Sequence, residues 1–196
     1  MHYSTNYVFD GRGGEFVEKD DPNPLSSYAK SKRRGEELAL RNASRCYVIR
    51  TAVLFGPKGG SLLSKKNFVD MMLDLSARTS TIRAVSDEVN SITYAPDLAR
   101  ATKALIDSGA TTGIYHLTNS GHASWFEFAS EIFRLTGRRI NLEPVSSSAF
   151  QRKATRPAKA ILLNTKAASL RPWQAALAEY LGEQGVTIAA GGQRSL

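Results

Sequence analysis

The chain has 196 residues, 42% of them hydrophobic and 22% charged, which is the composition of a globular protein with its own core. Its apolar runs are far shorter than the ~20 residues that cross a bilayer, so we expect no membrane association. The single cysteine, Cys46, excludes an internal disulfide and favours a reducing, cytoplasmic location.

The net charge is +8, and much of the basic excess lies in residues 146–196, which hold seven Lys or Arg and two Glu. A basic face can bind nucleic acid, or a small anionic ligand such as a sugar nucleotide. The chain lacks the RNP aromatics, zinc-finger spacing and basic-zipper heptads that are typical of nucleic-acid binders. We therefore favour the small anionic ligand and expect no nucleic-acid partner. Nucleic-acid binding would instead predict a steep salt dependence.

Predicted strands and helices alternate along the chain. Apolar, aromatic and β-branched runs predict strands at residues 2–9, 45–55, 81–85, 113–118 and 140–145. Periodicity and capping residues, among them Ser26, Ser124 and Gly137, predict helices at residues 28–43, 65–78, 97–108, 124–137 and 172–183. The Gly- and Pro-rich segments 11–26 and 56–64 are expected to be loops.

This alternation is typical of an α/β fold with a mostly parallel sheet, which binds its ligands at the carboxyl ends of the strands. The first strand ends at Ser4-Thr5, where a hydroxyl can face a ligand.

The strongest local signal for chemistry is the segment from Tyr28 to Lys32. These two residues are four apart and share one face of the predicted helix. A phenol titrates at about pH 10 by itself, and a nearby ammonium favours the phenolate, so the pair can exchange a proton with a carbonyl or an alcohol. Taken alone, the pair is also typical of a solvated helix face, which the neighbouring run "KSKRR" supports.

The wider context favours chemistry. The strand end "STNYVFDG" and the helix "SSYAKSKRRGEELAL" are followed in order by "VIRTAVLFG", "NFVDMML", "SITYAPDLARA", "GIYHLTNSGHASWFEFASEIF" and "RPAKAILLNTKAASL". Together these segments resemble the extended short-chain dehydrogenase/reductase family and, within it, the dTDP-4-dehydrorhamnose reductase branch. The likeness covers nearly the whole chain. It implies that residues 1–56 belong to a partial Rossmann-like, doubly wound parallel sheet that carries the catalytic strand and helix. It also implies that residues 57–186 form a smaller, mainly substrate-binding α/β lobe that returns elements to the sheet, with residues 187–196 as a tail.

This resemblance implies that NADPH (or NADH) reduces the 4-keto group of a dTDP-6-deoxy-sugar, on the way to dTDP-L-rhamnose. It makes Tyr28 the general acid that protonates the keto oxygen, and it makes Lys32 the residue that assists Tyr28. Both would also bind the cofactor, Lys32 through the nicotinamide ribose. Thr5 would donate a hydrogen bond to the substrate carbonyl, with capping of the strand end as its simpler alternative. The expected substrate-binding residues are Ser4, Asn6, Val53 and Arg156.

Three departures from the branch pattern bear on function. Asn6 replaces an Asp, and Val53 stands where a Trp usually faces the sugar. The third departure is the lack of a Gly-x-x-Gly-x-x-Gly loop, which would place a pyrophosphate on a helix N-terminus; "GRGG" and "GPKGG" lack its spacing. We therefore expect a truncated chain, with a partner chain or segment that supplies the nucleotide-binding half.

Other interpretations stay open beside the reductase. A non-catalytic sugar-nucleotide-binding or regulatory protein of the same fold is the alternative, and the three departures favour it. A homodimer is compatible with either interpretation. His116 alternates with apolar neighbours and is expected to be a satisfied structural residue, while Trp125 and Phe128 should pack on a helix face. His2 and His122 have no partner at metal spacing, so no metal is expected.

Overall fold

The computed structural model of the chain describes residues 1–59 and 65–188. Its helices are α1 (Ser27–Asn42), α2 (Phe68–Ser76), α3 (Ala95–Asp107), α4 (Trp125–Thr136) and α5 (Trp173–Glu183). Its strands are β1 (His2–Thr5), β2 (Gly14–Phe16), β3 (Tyr47–Thr51), β4 (Leu54–Phe55), β5 (Thr81–Val85), β6 (Val89–Ser91), β7 (Thr93–Tyr94), β8 (Gly113–His116), β9 (Asn119–Ser120), β10 (His122–Ser124), β11 (Asn141–Val145), β12 (Lys159–Leu162) and β13 (Leu170–Pro172). Within these two ranges, no helix combines the length and apolar character needed to cross a membrane.

The five predicted helices form, and capping side chains set the start of three of them. The Ser26 hydroxyl accepts the N–H of Ala29 at 3.2 Å and starts α1. Ser124 forms a capping box with Glu127 at the start of α4, and Gly137 ends that helix with a φ of 64°. α2 starts later than predicted, because the side chain of Asn67 accepts the N–H of Asp70 and caps the helix there.

A three-stranded parallel sheet with the order β1-β3-β8 forms the base of the site. Its central strand β3 is buried along its whole length, as its continuous apolar run predicts. α1 packs on one face of this sheet, and Leu98 and Leu105 of α3 join Ile49 in a cluster on the other. Thr5 of β1 is aligned with Thr51 of β3, so the carboxyl ends of these strands meet at one edge.

A second sheet, with the order β10-β6-β12-β2, contains strands that were not predicted. β2 lies in the segment 11–26, for which the expectation of a loop was wrong, and β12 was missed altogether. β2 pairs in parallel with β12, where Gly14 is aligned with Ala160. Such short strands depend on partners that are distant in the sequence, and they carry no periodic pattern of their own.

The single strand predicted at residues 45–55 is in fact two strands. β3 ends at Thr51, and β4 pairs with β7 instead of continuing the first sheet. Between them, Val53 has a φ of 34°, a left-handed conformation that is unfavourable for a β-branched residue. The Val53 carbonyl accepts the N–H of Thr93 at 3.1 Å and so fixes this turn. The chain therefore leaves the first sheet directly after Thr51.

An apolar cluster fills the lobe beyond this turn. The ring of Phe55 lies 5.2 Å from Tyr94, 5.7 Å from Phe128 and 5.8 Å from Tyr180, between their centroids. Phe128 is buried in this cluster, as predicted. β5 pairs in parallel with β11 at its edge. Parallel pairing in the β1-β3-β8 sheet and between β5 and β11 confirms the predicted α/β fold. The pairing of β10 with β6 is an antiparallel exception.

Candidate active site

Helix α1 presents Tyr28 and Lys32 beside the first strand. Ala29 and Glu36 are the buried residues of the helix and face the sheet. Tyr28 is 56% exposed, and Lys32 lies one turn further along. The Lys32 ammonium donates a hydrogen bond to the main-chain carbonyl of Tyr3, two residues before Thr5. The helix thus brings the predicted Tyr–Lys pair alongside the strand that ends at the predicted Thr.

Thr5 is buried at the carboxyl end of β1. Its hydroxyl accepts the N–H of Tyr7 at 3.3 Å and lies 3.4 Å from the side-chain oxygen of Asn6, to which it donates. In this arrangement Thr5 caps a short 3₁₀ turn at Asn6–Val8. Among the described residues the hydroxyl bonds no carbonyl of the strand end, so this cap differs from the strand-end capping that was expected. The hydroxyl remains at the edge of the sheet where ligands bind.

Asn6 holds neighbouring parts of the fold together, whereas Ser4 does not. The Asn6 amide donates at 2.9 Å to the side-chain oxygen of Asn90 and at 2.9 Å to the carbonyl of Ala160. Both amide hydrogens are therefore used inside the protein, and they link the first sheet to the second. Ser4 is buried, and its hydroxyl has no hydrogen-bond partner among the described residues. Of these two predicted substrate-binding residues, Asn6 is thus engaged in structural contacts.

A buried ion pair fastens α1 to the sheet. Arg50 of β3 donates to both carboxylate oxygens of Glu36, at 2.9 and 2.8 Å, and both side chains are almost fully enclosed. Burial alone would raise the pKa of Glu36, but the hydrogen bonds and charge of Arg50 outweigh it and hold this pKa below its ordinary value. This pair was not predicted, although a lone Arg within the apolar run of β3 is a signal for it.

His116 is buried next to this pair and stays neutral. Burial lowers the pKa of His116 to about 4. Its Nδ1 lies 3.0 Å from the carbonyl oxygen of Leu163, which can only accept, so Nδ1 carries the proton. Nε2 has no hydrogen-bond partner among the described residues. The expectation of a structural His agrees with this position, but only one of its two nitrogens is satisfied.

A cavity of about 510 Å³ opens beside the turn at Val53. Its walls are mainly apolar, with three arginines among them. The lining residues are Val53, Leu54, Phe68, Met71, Met72, Arg83, Ala84, Val85, Trp125, Phe150, Arg152 and Arg156. The structure therefore brings the predicted residues Val53 and Arg156 together. Arg83 and Arg152 were not predicted, and Trp125 lines this cavity as well as packing against Phe68 at 4.8 Å between ring centroids.

Tyr7 follows Asn6 in the short turn after β1. Burial raises the pKa of the Tyr7 phenol, and the positive charge of Arg156 opposes this shift. Because Val53 follows Thr51, the residue aligned with Thr5, the cavity lies at the same carboxyl edge of the sheet. Among the described residues no cluster of His, Cys, Asp and Glu could hold a metal ion.

Comparisons with known proteins agree with this architecture. The profile of the RmlD substrate binding domain family matches residues 1–185. The spore coat polysaccharide biosynthesis protein SpsK of Bacillus subtilis is 40% identical over 189 residues, which cover 94% of this chain and 64% of SpsK. The chain therefore spans less than two thirds of this relative.

Two solved structures are similar in both sequence and fold. A dTDP-4-dehydrorhamnose reductase from Clostridium acetobutylicum has a TM-score of 0.87 and 35% identity, over 94% of this chain and 65% of that one. The enzyme of the same name from Bacillus anthracis, in complex with NADP, has a TM-score of 0.85 and 32% identity, over 93% of this chain and 64% of that one. The chain therefore belongs to the RmlD substrate binding domain family, which confirms its resemblance to the dTDP-4-dehydrorhamnose reductases.

Proposed function

We propose that this chain provides the catalytic and substrate-binding parts of an NADPH-dependent reductase. Its reaction is reduction of the 4-keto group of a dTDP-6-deoxy-sugar, which yields dTDP-L-rhamnose. The single observation that carries the proposal is the hydrogen bond from Lys32 to the Tyr3 carbonyl, because it fixes the Tyr28-bearing helix beside the strand that ends at Thr5. The names of the similar solved structures support the same reaction.

The proposed roles follow from what each side chain can donate. Tyr28 gives its phenolic proton to the keto oxygen as that oxygen gains negative charge. Lys32 stabilises the phenolate that is left behind, because an ammonium one helical turn away favours the anion. Thr5 donates a hydrogen bond to the same keto oxygen, for which its hydroxyl must turn away from Asn6.

The cofactor in this proposal is NADPH, with NADH as the alternative. When bound, it supplies the hydride that reduces the carbonyl carbon. Lys32 fits the nicotinamide-ribose end of such a cofactor, because an ammonium has three N–H donors and the Tyr3 carbonyl takes only one of them. The exposed ring of Tyr28 is accessible on the same side of α1. The pyrophosphate end needs a glycine-rich loop, and we propose that a partner chain or segment supplies it.

The cavity at Val53 is the proposed sugar-nucleotide site. Its volume of about 510 Å³ falls in the range of small-molecule sites, ~300–1,000 Å³. Its aromatic wall suits a nucleobase, and Arg156 suits the phosphates. Ser4 and Asn6 contribute by shaping the adjoining edge of the sheet. Residues 1–56 then act as the catalytic part and residues 57–186 mainly as the substrate-binding part. Of the proposed tail, residues 187–196, the structure describes only residues 187 and 188. The protein works in the cytoplasm in this proposal, and a homodimer is compatible with it.

A reductase assay tests this proposal. The chain, alone and extended by any coding sequence in frame upstream, is mixed with NADPH and dTDP-4-dehydrorhamnose, and NADPH absorbance is followed. Tyr28→Phe should lower turnover by about 10²-fold or more, because the proton donor is lost. Tyr115→Phe is the matched control, since its hydroxyl bonds the Thr111 carbonyl away from the site. Absence of turnover in a folded, ligand-binding protein would support the non-catalytic alternative instead.

A further inference from the structure

Glu88 is a buried carboxylate directly beneath the cavity. It is 5% exposed and precedes β6. The antiparallel register of β6 and β10 aligns Val89 with Ser124, so Glu88 lies beside Trp125 at the start of α4. The Val89 N–H also donates to the carbonyl of Ala158 at 2.8 Å, which draws the arginine-bearing segment 152–158 across the same place.

Both oxygens of Glu88 are occupied by residues of the cavity wall. Arg152 forms an ion pair with one oxygen through Nη1. The indole N–H of Trp125 donates to the other oxygen at 3.3 Å. The guanidinium of Arg152 is therefore held against the floor of the cavity, with its charge compensated by a carboxylate that water hardly reaches.

The other two arginines of the cavity are not restrained in this way. Arg83 lies on β5 and Arg156 on the segment that leads to β12, and both are exposed. Neither forms an ion pair with a carboxylate in the parts of the chain that the structure describes. The cavity therefore offers two uncompensated guanidinium groups, which match an anionic ligand with two phosphate groups.

We propose that Glu88 is a specificity-determining residue that withholds Arg152 from the ligand. The diphosphate of a nucleoside diphosphate is then bound by Arg83 and Arg156 alone. To reach a phosphate, Arg152 would have to leave a buried carboxylate without a partner, and that cost cancels the gain from the new contact. The inference rests on the proposed function of the cavity and deepens it.

Calorimetric titration of the intact chain with thymidine 5′-diphosphate and with thymidine tests this assignment. The ratio of the two affinities reports the contribution of the phosphates. Arg83→Gln and Arg156→Gln should each lower this ratio about tenfold, because each removes a charge-assisted hydrogen bond. The double variant Glu88→Gln/Arg152→Gln is the matched control and should leave the ratio within about twofold, because it removes the ion pair as a whole. Arg152→Gln alone is not used, since it would leave the buried Glu88 carboxylate unpaired near the phosphates. A loss in the double variant equal to that with Arg156→Gln would overturn the proposal.

Glu88→Gln should raise the ratio of diphosphate to nucleoside affinity, whereas Arg83→Gln and Arg156→Gln should lower it. Glutamine keeps the size of the side chain and can still accept the Trp125 N–H, but it no longer holds the Arg152 charge. The released guanidinium should raise the ratio about fivefold, and the double variant Glu88→Gln/Arg152→Gln should return it to the wild-type value. A role of Glu88 in packing alone predicts that both ligands weaken equally, and an unchanged or lowered ratio would refute the inference.

Inorganic pyrophosphate separates this inference from the proposed function. It carries the phosphates without the nucleoside, so the arginine series can be repeated with it even if the cavity does not accept thymidine. If thymidine diphosphate binds but the arginine variants do not change its affinity as predicted, only the inference about Glu88 is refuted. If none of the three probes binds the wild-type chain, the inference and the sugar-nucleotide proposal both fall. Circular dichroism checks that each variant is folded. If Glu88→Gln is not folded, the comparison of Glu88→Gln/Arg152→Gln with Arg156→Gln decides between the proposal and its alternative.

Discussion

Glu36→Gln measures how firmly α1 is held on the sheet that carries Thr5. Among the described residues Glu36 is the only ion-pair partner of Arg50. The side chain of Glu36 is 0% exposed and that of Arg50 is 1% exposed. Gln has nearly the same volume and can still accept one hydrogen bond, but the guanidinium then lacks a buried counter-charge. Breaking a buried pair costs about 3–5 kcal/mol. Because one hydrogen bond survives, we expect about 3 kcal/mol, the lower end of that range.

Thermal unfolding followed by far-UV circular dichroism is the assay. A domain of this size loses about 2–4 °C of melting temperature per kcal/mol, so Glu36→Gln should lower it by about 6–12 °C at pH 7. Glu37→Gln is the matched control. Its carboxylate pairs with Arg33 and Arg34 but is 43% exposed, and such surface pairs contribute at most about 1 kcal/mol. A melting temperature for Glu36→Gln within about 2 °C of the wild type would refute the reasoning.

The pH dependence of the same variant gives a second check. The pKa of Glu36 is lower in the folded protein than in the unfolded chain. The ion pair therefore stabilises the fold fully above the unfolded pKa, and this contribution is lost as the pH falls through the folded pKa. The gap in stability between wild type and Glu36→Gln should narrow steadily below about pH 5. A gap that stays constant down to about pH 3 would mean that Glu36 is not the titrating group.

Two further substitutions test backbone strain and buried histidine. Val53→Gly should change the free energy of unfolding by no more than about 1 kcal/mol in chemical denaturation, because relief of the φ of 34° offsets the lost side chain. Val48→Gly, fully buried in β3, should cost about 3 kcal/mol or more, and equal losses at both positions would contradict the strain argument. Burial lowers the pKa of His116 to about 4, so the unfolded chain takes up a proton on this residue at a higher pH than the folded protein does. The free energy of unfolding of the wild type should therefore fall by up to about 3 kcal/mol as the pH falls from about 6.5 to 4. Melting temperatures measured over this pH range should decline less steeply for His116→Asn than for the wild type, whereas the exposed control His122→Asn should behave like the wild type. An equally steep decline in the wild type and both variants would exclude His116 as its source.

Helix α1 could be predicted because its signals are local. Ser26, Tyr28 and Lys32 lie within two turns of one helix, and each acts through a short-range rule of capping or helical spacing. The interruption of the strand at Val53 could not be predicted in the same way. No residue there favours a left-handed backbone, and the turn exists because the Val53 carbonyl binds Thr93 from a distant part of the chain. Long-range pairing prevailed over local propensity at that point.

The cavity was predicted only in part, for a related reason. Val53 and Arg156 were recognised from the resemblance, but Glu88, Trp125 and Arg152 meet only through the pairing of β6 with β10 and β12. Residues 86–93 carry no signal that one of their acids is buried. A charged residue in an apolar strand, such as Arg50, can be noticed from the sequence, whereas a buried acid in a polar segment cannot.

Glu36 and Glu88 are both buried carboxylates paired with an arginine, but loss of each has a different consequence, because the two arginines differ in exposure. Arg50 is fully enclosed, so its guanidinium has no alternative partner and Glu36 can contribute only to holding α1 in place. The side chain of Arg152 is 25% exposed and lines the cavity, so a ligand phosphate could compete for it with Glu88. A buried acid therefore acts on structure when its cation is enclosed, and on selectivity when its cation borders a binding site. On this reasoning, loss of Glu36 should lower stability without changing the ratio of diphosphate to nucleoside affinity, whereas loss of Glu88 should change that ratio.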